Sequence, residues 1–220
     1  MNKKRKGWLS SIFGAKDDDG NASDHLTDVE WFNKSINLES DGKFDEALNC
    51  CKKALKLNPQ YADAWFHKGR VVDALGYTEE AVDCYNKALE LAPQDSMAWN
   101  NKGKLLKSLG NFEEASYCYN KALEVDPNNI NAHMNRGFLE NAQGNIREAI
   151  WCFNQAIDVD PEHADAWFII GMLHDNAGDF DTAIRCLEAA LDIVRTEFPA
   201  GSERIVEVEE KLNEMKSRQQ

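Results

Sequence analysis

The sequence predicts an all-α solenoid of stacked helix pairs, and three sets of positions predict it. Prolines stand at 59, 93, 127 and 161, always 34 residues apart. Glycines keep that interval at 69, 103, 137 and 171, and again at 76, 110, 144 and 178. Alanines keep it at 47, 81, 115, 149 and 183 and at 54, 88, 122, 156 and 190, while tryptophans fall at 31, 65, 99 and 167. A fixed period of this length marks repeated supersecondary units, none of which can bury its apolar face alone. The expectation is five helix-turn-helix repeats and a C-terminal capping helix.

Each unit reads as two helices. In 62–75, Trp65, Gly69 and Val72 are spaced four and three apart and share one face. Gly76 ends that helix as a left-handed cap. In 78–91, Ala81, Tyr85, Ala88 and Leu89 line one side, and Pro93 stops the helix. Gly103 and Ala115 permit a close crossing, which offsets the ~1 kcal/mol that a mid-helix glycine costs relative to alanine. Thr27 and Glu30 form a capping-box pattern ahead of the first helix. Ile205, Val208, Leu212 and Met215 make an apolar stripe among acids, a helix suited to cap the last repeat with a polar outer face.

These positions resemble the tetratricopeptide repeat (TPR): an aromatic, Gly four later, Ala twelve after that, an aromatic, Ala, then Pro. Trp99, Gly103, Ala115, Tyr119, Ala122 and Pro127 match it best, and the resemblance spans residues 28–197. It implies a right-handed superhelix whose concave wall is lined by the first helix of each unit. The expected organisation is a basic and aromatic tail with an acidic linker over 1–26, repeats at about 28–61, 62–95, 96–129, 130–163 and 164–197, and a capping helix with a short tail over 199–220. Departures are expected to loosen packing locally: Ser35 for the first Gly, His133 for an aromatic, Glu140 and His174 for large apolar residues, Cys51 and Leu187 for the second-helix aromatic.

Charge bears on partners. The net charge is −13, yet residues 1–16 hold five basic residues and no acid, so the remainder carries 20 basic against 38 acidic residues. Such a body repels phosphate backbones, which argues against nucleic acid. Cys50, Cys84, Cys118, Cys152 and Cys186 also repeat every 34 residues. Equivalent positions on neighbouring helices lie roughly 8–10 Å apart, beyond the about 7 Å that a disulfide allows. The cysteines, Cys51 among them, read as small apolar fillers in a reducing, cytoplasmic setting. No cysteine spacing suits a metal, no histidine pairs with a ligand or base, and no glycine loop cradles phosphate. The expectation is a protein without catalytic residues, metal or cofactor.

The functional expectation is a protein-interaction scaffold or adaptor. The residues opposite the Trp–Gly face should turn toward the groove. One such register reads Asn33, His67, Asn101, Asn135 and Ile169; three residues on it reads Ile36, Arg70, Lys104, Phe138 and Met172. A row of carboxamides offers donors and acceptors to the backbone of an extended peptide; it resembles the asparagine ladder of some TPR superhelices. Arg70 and Lys104 would draw acidic groups. Phe138, Ile169 and Met172, joined by Met134 and Phe168, would hold an apolar side chain or lie beneath the C-terminal helix. The plainer alternative is that the polar rows are solvated surface. The carboxylate-gripping TPR pattern of co-chaperones is not carried over: Asn135 fits it, but Asn100, Lys104, Asp165 and Ile169 occupy its other registers.

Two further readings concern the ends. Lys3, Lys4, Arg5 and Lys6 precede Trp8, Leu9, Ile12 and Phe13, which share a face if helical. That tail is suited to an anionic membrane surface or to docking on a protein, or is a plain tail. The rival to the scaffold is a structural organiser, self-associating through the C-terminal apolar patch or held at a membrane by the tail.

Overall fold

The computed structural model describes residues 26–219, and every regular element among them is an α-helix. The tail residues Lys3, Lys4, Arg5, Lys6, Trp8, Leu9, Ile12 and Phe13 lie outside the described residues. The helices group into two compact units, one up to Pro93 and one from Gln94. The first holds α1 (Asp28–Ser40), α2 (Phe44–Leu57), α3 (Ala62–Ala74) and α4 (Thr78–Leu91). The second holds α5 (Ser96–Ser108), α6 (Phe112–Val125), α7 (Ile130–Ala142), α8 (Ile146–Val159), α9 (Ala164–Asn176), α10 (Phe180–Glu197) and α11 (Glu203–Gln219). Within each unit the odd and even helices pair as antiparallel hairpins, and successive hairpins pack together. The fold is therefore all-α, built of five helix-turn-helix repeats and a C-terminal helix.

Local chemistry explains the element ends. The Thr27 hydroxyl accepts the Glu30 N–H at 3.2 Å while the Glu30 carboxylate accepts the Thr27 N–H at 2.8 Å, closing the capping box. Gly76 takes φ +85, and the Tyr77 N–H behind it bonds the Val72 carbonyl at 2.9 Å. A side chain is strained in that left-handed conformation, so glycine recurs at the hairpin turns.

The helical glycines answer a different need. A Cβ at Gly103 would stand 2.7 Å from the Tyr119 ring, and one at Gly137 would stand 2.7 Å from Phe153. Tyr119 and Phe153 are fully buried. The aromatic sixteen residues after Gly69, Gly103 and Gly137 therefore packs over the bare backbone, and Leu187 takes that place over Gly171. The first repeat swaps the sizes: Ser35 stands for glycine and Cys51 for the aromatic, both fully buried, with the serine hydroxyl donating to the Phe32 carbonyl at 2.7 Å. These two departures compensate each other rather than loosening the pair.

The other departures are also absorbed. Trp65 and Trp167 donate Nε1–H to the carbonyls of Pro59 and Pro161 at 2.9 and 3.0 Å. His133, buried in the tryptophan register, gives the same bond from Nε2 to Pro127 at 2.9 Å. Glu140 accepts from Asn145 at 2.8 Å, and His174 meets Asp179 at 3.1 Å, so polar clasps across the turn replace apolar packing. The six cysteines are free and buried. Burial pushes Cys51, Cys118 and Cys152 up to about 11, which keeps these thiols protonated and unreactive.

Helix α11 closes the second unit. Ile205, Val208, Leu212 and Met215 bury against Leu187, Leu191 and Val194 of α10. Ion pairs surround that seam: Arg195 to Glu209 at 2.7 Å, Lys216 to Glu188 at 2.7 Å, Arg218 to Asp175 at 3.1 Å, and Arg204 to Asp165. No described helix is long and apolar enough to cross a membrane.

Candidate functional site

In the first unit the predicted groove residues separate. Asn33 and Arg70 are exposed, as is Ile36. His67 is not: it is 3% exposed, with Nδ1 3.5 Å from Glu39 and its ring edge-on to Phe32 at 5.6 Å. The reason is neighbour packing. The register that an isolated helix turns outward on α3 is closed by α1, which packs against it. Burial lowers the His67 pKa, and the Glu39 charge opposes that shift. Arg70 is also committed, its Nη2 lying 2.9 Å from Glu39 Oε1. Glu39 thus takes up the positive charge that the sequence offered to a ligand here.

In the second unit several predicted residues converge. Asn135 on α7 donates Nδ2–H to the Asn100 carboxamide oxygen on α5 at 2.9 Å. The amide pair therefore runs through Asn100, buried at 6%, and not through Asn101, which is half-buried one position on. This pairing holds the Asn135 side chain in place and leaves its oxygen as an acceptor. Phe138, one turn on, is 38% exposed and packs edge-on to Phe153 at 5.3 Å. The buried partner of Gly137 thus props up an exposed ring on the opposite side.

Between α7 and α9 lies an open cleft of about 440 Å³. Met134, Phe138, Phe168 and Ile169 supply its apolar lining; Asn131, Asn135, Asp165 and Arg204 supply polar edges. Lys107 reaches the same place from α5, its ammonium 5.6 Å from the centroid of the Phe138 ring. Lys104, one turn before it, is exposed. The predicted apolar patch is only partly open. Met134 is buried at 7%, Ile169 packs on the α7–α9 core, and Met172 and Phe168 pack against the cluster that α11 completes. Met172 does not line the cleft.

Family models of the tetratricopeptide repeat match residues 33–96 and 139–199, residues 96–129, and residues 118–150. The chain belongs to the tetratricopeptide repeat family. No curated protein matches it. Solved TPR-type structures show the same fold. MamA 41-end from Desulfovibrio magneticus RS-1 is 20% identical with a TM-score of 0.70, covering 84% of this chain and 100% of that one. YrrB, described as a TPR protein with an unusual peptide-binding site, is 24% identical with a TM-score of 0.62, covering 83% of this chain and 91% of that one. TTC0263, a TPR protein of Thermus thermophilus, is 19% identical with a TM-score of 0.63, covering 86% of this chain and 98% of that one.

Of the residues that line this cleft, Asn135, Phe138 and Ile169 are ones the TPR period singles out, because all three sit in first-helix registers. It missed Arg204, which lies on α11 outside the period and reaches the cleft by pairing with Asp165 while lying over the Phe168 ring at 5.6 Å. It also missed Asn131, one turn before Asn135 on the same helix face. The four-residue spacing was the available signal. Among the described residues no group of three or more His, Cys, Asp or Glu is placed to hold a metal ion.

Proposed function

We propose that the chain is a non-catalytic protein-interaction scaffold that captures a peptide or helical segment of a partner protein on the first-helix face of its second unit. The observation that carries this is the cleft between α7 and α9, where an exposed Phe138 stands one turn from an oriented carboxamide, Asn135. An apolar pocket with few fixed polar groups is the usual form of a binding site. The carboxamide oxygen suits a backbone N–H, and Phe138 with Ile169 suits an apolar anchor. YrrB, similar in fold, is described as having a peptide-binding site. Micromolar affinity, about −8 kcal/mol, is expected for one short segment.

The test is affinity capture with wild-type chain and with the double variant Asn135→Ala, Phe138→Ala, the bound proteins being identified by mass spectrometry. Helicity should be unchanged and specific capture lost. A folded double variant that retains every wild-type partner would overturn the proposal.

A further inference from the structure

The cleft carries a charge bias that specifies its occupant. Lys104 and Lys107 stand three apart on α5, neighbours on one helix face. Lys107 lies over the Phe138 ring at the cleft. Lys104 occupies, one repeat earlier, the register of Phe138 itself. Two influences act on Lys107, burial first and then the Lys104 charge; both lower its pKa, and no carboxylate offsets them. Neither lysine has an acidic partner among the described residues, and what sets the pair apart from the other unpaired cations of this unit is that Lys107 lies over the exposed ring that lines the cleft. At the other end of the cleft Arg204 is already held by Asp165 and Glu207.

We infer that the occupant of the cleft is a partner segment with a bulky apolar side chain next to an acidic one. The apolar group enters among Phe138, Ile169 and Phe168, and the carboxylate meets Lys107 and Lys104. This rests on the cleft being a peptide site. The acid would relieve the repulsion between the two ammonium groups and restore the partner that burial denies Lys107. An aromatic wall beside a cation favours this pairing because the excluded water strengthens the charge contact. A basic segment would meet like charge at the same point, so the site selects by repulsion as well as attraction.

Fluorescence anisotropy on the full chain tests this with three labelled synthetic peptides of equal length. Their central residues are Asp-Asp-Leu-Phe, Lys-Lys-Leu-Phe and Asp-Asp-Ser-Ser. The first should bind at least about tenfold tighter than either other, and the gap to the basic peptide should narrow in high salt. Lys104→Glu with Lys107→Glu should reverse the order of the first two, and Phe138→Ala should weaken both. Equal binding of the acidic and basic apolar peptides, still lost in the Phe138→Ala variant, overturns the charge selection and leaves the peptide site standing. Binding by none of the three, or binding indifferent to Phe138→Ala, overturns both. The wild-type comparison decides the matter even if the lysine variant fails to fold.

Discussion

Replacing Gly103 by alanine puts the packing logic of the repeat to its hardest test, because two known effects oppose each other there. An alanine Cβ would meet Tyr119 at 2.7 and 2.9 Å and the Ala115 carbonyl oxygen at 3.2 Å. Tyr119 is fully buried, so its ring cannot move aside into solvent. Overpacking of this kind costs about 1–3 kcal/mol. Helix propensity returns about 1 kcal/mol. The net expectation is a loss of roughly 1 kcal/mol, within a range of about 0–2. Urea unfolding followed by far-ultraviolet circular dichroism should show a lower midpoint with an unchanged slope. The same substitution beside Tyr119→Leu should cost less, since a Cβ at Gly171 would stand 3.1 Å from Leu187 in that register, against 2.7 Å from Tyr119 at Gly103. That difference in cost is the coupling that a double-mutant cycle isolates. A rise in the midpoint for Gly103→Ala alone, or the same effect in both backgrounds, would refute close backbone packing as the reason for glycine.

Two further outcomes are expected. Leu212→Ala, truncating a side chain only 6% exposed in the α10–α11 seam, should cost about 2–5 kcal/mol in unfolding free energy. Arg195→Ala, breaking an exposed ion pair with Glu209 in the same seam, should cost less than about 1 kcal/mol; equal losses would mean that charge, not apolar burial, holds α11. His67 makes the first unit pH-sensitive. Its folded pKa is lowered by burial, so the unfolded chain binds a proton first as pH falls through about 6.5. The His67 contribution is therefore complete above that value and is lost below it, down to the folded pKa. Urea midpoints measured between about pH 8 and about pH 5 should fall in the wild type, and less steeply in His67→Gln; parallel profiles would exclude His67 as the cause.

The departures from the repeat show where sequence pattern carries information and where it stops. Ser35 with Cys51, and His133 at a tryptophan position, look like losses when each is taken alone. Their partners lie sixteen residues away or on the backbone, and those contacts restore what each replacement removes. His67 fails in the other direction. Its register turns outward on one helix, but α1 packing on α3 closes it. Arg70 likewise reads as available from its own helix, yet Glu39 on the neighbouring first helix pairs with it.

Family, helix boundaries, turn glycines and the capping helix all follow from the sequence by itself. They depend on spacings within one hairpin, where the backbone period dictates which side chains share a face. Only the tertiary structure shows the cleft between α7 and α9. The Asn100–Asn135 bond, Lys107 over Phe138, and Arg204 beside Asp165 each join side chains 31 to 39 residues apart on different helices. Such contacts depend on the tilt and spacing of one hairpin against the next, which no single-helix period encodes.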